Sequence, residues 1–330
     1  MENTKYFTKP EAGGVWDVAI IGSGPSALTA SIYTTRGAAS TLLFAGDTWG
    51  GQLMLTTEVD NFPGFPEGIM GPELMGNMRK QAERFHTEII DKRATEVNID
   101  PHPFEIKTDD QTYKANSIIV ATGAETRWLG IPGEEKLLGR GVSSCAPCDA
   151  PFFKDKQVAV VGGGDSAMEE ALVLTKYASK VYVIHRRGEF RASQAMQQKV
   201  FTNEKIEVIW HTDVLEMIGD QKLEKIRLLT KEKIDQHDAG EWELSVDGVF
   251  VAIGHMPATA IFKGKIELDE KGYIKKALTD EYTMRTSVEG VFVAGDVHDT
   301  HYKQAITAAG FGCMAGMEVL KYLDKDAPTY

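Results

Sequence analysis

Cys145 and Cys148 stand two residues apart in the run Ser144-Cys-Ala-Pro-Cys-Asp149, and the 330-residue chain holds only one further cysteine. This spacing lets two thiols close into a small ring, which suits a dithiol that cycles with a disulfide. A helix opening within the motif would set its positive end beside a thiol and favour the thiolate. Asp149, next in the chain, is a carboxyl placed to give or take the protons such a cycle moves. Its competing role is an N-cap for the following turn. A zinc site would need four ligands, and the second pair on offer, His298 and His301, lies far along the chain. A permanent structural disulfide belongs in an oxidising compartment. The expectation is a cycling pair and no metal.

Two glycine-rich turns flank the cysteines. The first, Gly22-Ser-Gly24-Pro-Ser-Ala27, follows the apolar stretch 15–21 and precedes small residues and good helix formers. Gly22 permits a tight turn, Gly24 lets the backbone approach a pyrophosphate, and Ala27 lets helix and strand pack closely. The helix N-terminus then offers N–H donors to phosphates. The second, Gly162-Gly-Gly164-Asp-Ser166-Ala167, repeats the pattern after the apolar stretch 157–161. One such motif is weak; two in the same strand–turn–helix context are much stronger. In the first unit the acidic ribose ligand usually found roughly 20 residues on is replaced by Phe44-Ala-Gly46, with Asp47 slightly late.

In the second unit the strand 180–184 ends in His185-Arg186-Arg187, with Arg191 four residues beyond. Cations there match the 2′-phosphate of NADP, where an NAD site would carry a carboxylate. The alternative is a solvated basic turn. Asp296, at the end of another apolar strand, can accept from a ribityl hydroxyl; an N-cap role is compatible with that. Cys313 lies in an apolar, small-residue stretch and reads as a buried, inert thiol.

Several elements must position these groups. The stretches 89–90, 94–100 and 104–108 read as a meander, 117–120 as a buried strand, and 71–87 as a helix begun by Pro72. The stretches 207–210, 214–218 and 225–230 read as a second meander ahead of a strand at 248–253. The chain crosses to a second domain within the loop-rich stretch 125–141 and returns after 254. A net charge of −12 argues against a nucleic-acid binder. No run approaches the roughly 18 apolar residues of a membrane span. The polar first 14 residues show no apolar leader, so a cytoplasmic location is expected.

Read together, these residues resemble the low-molecular-weight thioredoxin reductases. The resemblance runs from about 15 to 322 and rests on GSGPSA at 22–27, GGQ at 50–52, ATG at 121–123, CAPCD at 145–149, GGGDSAMEE at 162–170, HRRGEFR at 185–191 and GDVHDTHYKQA at 295–305. It implies an α/β protein with two Rossmann-like three-layer β/β/α nucleotide-binding domains, the second inserted into the first. The boundaries expected are an arm at 1–14, an FAD domain at 15–123 and 255–330, and an NADPH domain at 124–254 that carries the redox motif. It further implies a homodimer in which hydride equivalents pass from NADPH through FAD to the Cys145/Cys148 disulfide, and then to thioredoxin or a thioredoxin-like protein. Cys148 would face the flavin, Cys145 would attack the partner, and Asp149 would supply the proton. With Gly22, the implied FAD set is Ser23, Gly24, Pro25, Ser26, Gln52, Asn61, Val97, Ala121, Asp296, Gln304 and Ala305. The implied NADPH set is Gly164, Ser166, Ala167, His185, Arg186, Arg187 and Arg191. Arg140, Phe152 and Phe153 resemble the surface that docks thioredoxin.

Four positions depart from the family pattern. Pro147 stands where Thr or Val is usual, so the dithiol potential is open to change. Ala150 replaces a glycine, Lys303 an arginine and Ala258 an asparagine. The competing functions are a flavin-dependent disulfide reductase or dithiol oxidase with another electron donor or acceptor, and a non-catalytic redox sensor. The intact arginine cluster disfavours the first two, and the complete hydride route disfavours the third.

Overall fold

A computed structural model of the chain describes residues 8–56, 58–233, 238–277, 279 and 282–324. Among these residues there are six α-helices: α1 (Pro25–Arg36), α2 (Gly71–Arg84), α3 (Ala146–Asp149), α4 (Asp165–Leu174), α5 (Gln194–Phe201) and α6 (Ala305–Leu323). The chain divides into two compact units. One comprises residues up to Glu125 and from Met256 onward; the other is Thr126–His255.

In the first unit, Val15–Ile21 pairs in parallel with Thr41–Phe44 on one side and Thr112–Val120 on the other. Glu88–Ile90 extends the sheet beyond Thr41–Phe44, also in parallel. Thr112–Val120 then forks. Its first half pairs antiparallel with Phe104–Lys107, and its end takes Val291–Val293 in parallel. Glu96–Asn98 closes the meander against Phe104–Lys107.

Alternate side chains of the central strands enter two different cores, as the two-residue strand period requires. Ile20, Leu43, Ile119 and Phe292 pack with apolar residues of α1, α2 and α6. Ala19, Leu42, Ile118 and Val291 pack with Val97, Phe104 and Ile106 of the meander. Burial on both faces explains why these strands read as continuous apolar runs. α1 and α6 approach closely because small residues meet: a Cβ on Gly312 would stand 2.1 Å from the Ser26 carbonyl oxygen.

The second unit repeats this plan. Val142–Ser143, Gly248–Val251, Gln157–Val161, Lys180–Ile184 and Ile206–Ile209 form one sheet in that order, and every pairing in it is parallel. Val158, Val160, Val181 and Val183 face the helices. Ala159, Val161, Ile184 and Val249 face a separate antiparallel sheet of Thr212–Ile218, Lys225–Thr230 and Gly240–Ser245.

Three strand readings change. Ile89–Ile90 and 207–209 are edge strands of the parallel sheets, not members of meanders. Gly240–Ser245, unread in the sequence, supplies the third strand of the second meander. Its alternating, largely exposed residues Glu241, Trp242 and Glu243 give little apolar signal.

Candidate redox and nucleotide sites

Cys145 and Cys148 are joined as a disulfide, with their Cα atoms 5.3 Å apart. α3 begins directly after Cys145, which is its N-cap with an extended backbone. A thiolate at Cys145 would therefore sit at the positive end of the turn. The N–H groups of Cys148 and Asp149 both donate to the Cys145 carbonyl at 3.1 Å. Pro147 falls in the first turn of α3, where an N–H would have had no intrahelical partner. This departure from the family pattern thus costs the turn no hydrogen bond.

The Cys145 N–H donates to Ser143 Oγ at 3.1 Å, and the Ser143 side chain hydrogen-bonds Asp149. Burial pushes the Asp149 pKa up, against the lowering effect of that bond. Asp149 therefore keeps its proton to higher pH than an exposed carboxyl does. Asp149 also stands at the N-cap of the 3₁₀ turn Ala150–Phe153, but its side chain makes no capping bond there. This favours the acid/base role over the cap. One neighbour was not singled out in the sequence. Glu170 of α4 accepts from the Ala146 N–H at 2.5 Å, and burial leads the causes that push its pKa up to about 7.

Both glycine turns lie at the carboxyl ends of parallel strands, where such sheets bind nucleotides. Gly22 has φ +126°, and a Cβ there would stand 2.1 Å from the Ala121 carbonyl oxygen. Gly22→Ala is expected to destabilise the first unit by about 2–4 kcal/mol through backbone strain and displacement. Thermal denaturation and the amount of nucleotide that copurifies would check this. Gly24 and Gly164 are the N-caps of α1 and α4, and neither helix has a side-chain cap. A Cβ on either glycine would meet nothing within 4 Å. Two sets of helix N–H donors thus face open space, which suits phosphate groups.

In the first unit, Pro25 opens α1, while Ser26 is buried against Gly295 and Gly312. The Ser23 hydroxyl is committed internally, donating to the Ala45 carbonyl at 2.7 Å and accepting from the Gly50 N–H at 2.9 Å. Gln52 is exposed in a 3₁₀ turn. Asn61 donates to Gln304 Oε1 at 3.2 Å, bringing together two residues 243 apart in the chain. Gln304 is the N-cap of α6 in a reciprocal capping box with Thr307, and Ala305 is its first residue. Val97 is fully buried and its carbonyl accepts from Lys265. Ala121 is buried, and its N–H donates to the Ile21 carbonyl at 2.9 Å.

Asp296 follows the strand Val291–Val293 and the turn at Gly295. Its Oδ1 is buried without a hydrogen-bond partner. Burial, then the nearby Asp299 charge, pushes its pKa up to about 6. A buried carboxyl oxygen without a partner has room to accept from a donor brought by a ligand or water. Asp299 is occupied differently, accepting the N–H groups of His301, Tyr302 and Lys303 at 2.9 Å. His298 packs against Phe311, with ring centroids 4.6 Å apart. Among the described residues no group of three or more His, Cys, Asp or Glu side chains could hold a metal.

In the second unit, His185 is buried beneath the glycine turn, with its Nε2 unpartnered. Burial lowers its pKa, as do the charges of Arg191, Arg187 and Arg186 in that order. All three arginines are exposed. The Arg191 N–H donates to the Gly163 carbonyl at 2.7 Å, folding the basic loop back onto the turn. Asp165 Oδ1 accepts the N–H and hydroxyl of Ser193 at 2.8 Å and secures that fold. Ser166 is exposed at the start of α4, whereas Ala167 is fully buried. Arg186, Arg187 and Arg191 are thus three exposed cations on the loop that folds back onto the glycine turn.

Two surface expectations are corrected. Phe153 is only 8% exposed, with its ring against Phe250 and its edge where a Cβ on Gly248 would fall. It is a core residue, while Phe152 and Arg140 are exposed. Cys313 is only partly buried. It lies 3.9 Å from Met317 Sδ and hydrogen-bonds Tyr33, whose phenol pKa it raises. Gly312 and Gly316 seat α6 on α1, which leaves Cys313 at the margin of that contact.

Comparison with known proteins follows the same lines. The pyridine nucleotide-disulphide oxidoreductase family matches residues 16–312. The chain is 50% identical over 310 residues to a thioredoxin reductase of Rickettsia prowazekii, covering 93% of this chain and 98% of the relative. It is 49% identical over 314 residues to a thioredoxin reductase of Streptomyces coelicolor, covering 94% of each. Among solved structures it is similar to a thioredoxin reductase from Streptococcus pyogenes, with a TM-score of 0.88 at 38% identity, covering 95% of this chain and 99% of that one.

Proposed function

The chain belongs to the pyridine nucleotide-disulphide oxidoreductase family, and from that premise we propose that it is an NADPH-dependent flavoenzyme that reduces the disulfide of thioredoxin or a thioredoxin-like protein. The observation that carries this reading is the disulfide at the N-terminus of α3 with the partly buried Asp149 beside it.

FAD fits the first unit. The uncapped α1 N-terminus at Gly24 and Pro25 suits its pyrophosphate, and the orphaned Asp296 oxygen suits a ribityl hydroxyl. Ser26, Gln52, Asn61, Gln304 and Ala305 would line the rest, with Gly22, Ser23, Val97 and Ala121 shaping the backbone around it. NADPH fits the second unit, with its pyrophosphate over Gly164, Ser166 and Ala167. Its 2′-phosphate would lie among Arg186, Arg187 and Arg191 above His185. When bound, the flavin supplies two-electron exchange between the nicotinamide and the protein disulfide.

The chain's own residues do the rest. Cys148 receives the electron pair as the S–S bond breaks. Asp149 gives the proton that one departing sulfur needs. Cys145, at the helix N-cap, is the thiolate that attacks the partner's disulfide. Arg140 and Phe152 offer an exposed docking surface, with Phe153 supporting it from below. Exposed Tyr33, Ile306, Met314 and Met317 supply an apolar face for a homodimer. A dithiol that must return to the reduced state suits the reducing cytoplasm.

Anaerobic titration with NADPH and then NADH, followed by flavin absorbance, tests the reading. Bleaching by NADPH at stoichiometric addition is expected. A chain without flavin, or one bleached only by another donor, would refute it.

A further inference from the structure

The backbone at the start of α3 is held by two side chains. Ser143 takes the Cys145 N–H and passes a hydrogen bond to Asp149. Glu170 takes the Ala146 N–H, the only free donor between the two cysteines, because Pro147 has none. Ala146 is fully buried, so no water can replace Glu170 at that donor without repacking. Glu170 thus adds a polar tie to the apolar packing of Ala146 against α4, the helix that carries the Gly164 turn. The charged groups facing Glu170 are Asp149 from α3 and Glu169 from its own helix, both acidic. Like charges in a buried site do not ionise together, and the Asp149 charge accordingly helps to hold the proton on Glu170.

We propose that Glu170 is a positioning residue for disulfide reduction: it anchors the dithiol turn through the Ala146 N–H. This rests on the proposed reductase reading. Reduction of the Cys145–Cys148 bond takes a hydride equivalent from the reduced pyridine nucleotide, which is two electrons and one proton, and one further proton. Asp149 donates that second proton to a departing sulfur and is then reprotonated from solvent. A turn held at Ala146 keeps the two sulfurs and the Asp149 carboxyl in the register this exchange needs.

Two variants test the anchor. Glu170→Gln keeps an acceptor for Ala146, and Glu170→Ala removes it. In Glu170→Gln kcat/KM for thioredoxin should stay within about threefold of the wild type, because the Ala146 N–H keeps a partner. NADPH-driven flavin bleaching should change less than about twofold, as nothing in that step touches the site. In Glu170→Ala, thioredoxin turnover should fall a further tenfold or so at every pH, reflecting the lost anchor.

One NMR readout on the holoenzyme stands apart from activity: the Ala146 amide shift. Upfield movement of the amide in Glu170→Ala, with a near wild-type shift in Glu170→Gln, would support the proposal. An unchanged Ala146 amide in Glu170→Ala, or full thioredoxin turnover by that variant, would overturn it. Failure of the wild type to bleach with NADPH would instead count against the reductase reading, and the NMR outcomes would still decide this one.

Discussion

Cys145→Ser and Cys148→Ser are each expected to lower thioredoxin turnover by a factor of about 10³ or more, while NADPH still bleaches the flavin. Electrons reach a protein substrate only by opening the Cys145–Cys148 bond, and with either sulfur gone there is no bond to open. Serine keeps the size of the side chain, so the turn of α3 retains its hydrogen bonds to the Cys145 carbonyl. The lost disulfide closes a very short loop, and short loops contribute little unfolded-state entropy. The melting temperature should therefore shift by only a few degrees, which separates lost chemistry from lost fold. The two variants should also differ from each other. Cys148→Ser leaves the exchanging thiol at the helix N-cap and should still form a trapped mixed disulfide with an oxidised partner. Cys145→Ser should not. Normal turnover by either variant would sink the mechanism.

Replacing Arg186, Arg187 and Arg191 together by alanine should lower kcat/KM for NADPH on the order of 10³-fold, at about tenfold for each charge-assisted hydrogen bond removed. The value for NADH should change by less than about threefold, because that donor lacks the phosphate these cations meet. All three side chains are exposed, and their charges converge on the same buried His185. Removing them should cost little stability, since no packing depends on them. The wild-type KM for NADPH should rise with ionic strength, as screening weakens exposed charge pairs. Equal kcat/KM for NADPH and NADH in the wild type would refute the assignment.

Much of this arrangement is legible along the chain because it is local. A glycine turn is specified by the strand before it, the helix after it and a few small residues between. Gly22, Gly24, Gly162 and Gly164 all sit within one such unit, so both nucleotide turns can be read directly. The arginine cluster is equally local, following one strand by a handful of residues. The redox pair needs only its own spacing. Short edge strands are less legible. Nothing within 88–90 or 206–209 says which neighbour the strand will take. That choice belongs to the free edges of Thr41–Phe44 and Lys180–Ile184, formed elsewhere in the chain.

Order along the chain thus establishes which chemical groups the protein owns and where they arrive: two nucleotide turns, three arginines, a cysteine pair and the aspartate after it. Packing in three dimensions sets the environment of each group. It partly buries Asp149 and strengthens that carboxyl's hold on its proton, and it turns Phe153 inward against Phe250. It brings Cys313 partly into the open, and it leaves one oxygen of Asp296 without a partner. It also carries Glu170 from 24 residues away onto the Ala146 N–H. The difference arises because spacing is a property of neighbours along the chain. Burial, and with it protonation and hydrogen-bond satisfaction, is a property of neighbours in space. Around Cys145 and Cys148 the second kind sets how readily the first can act.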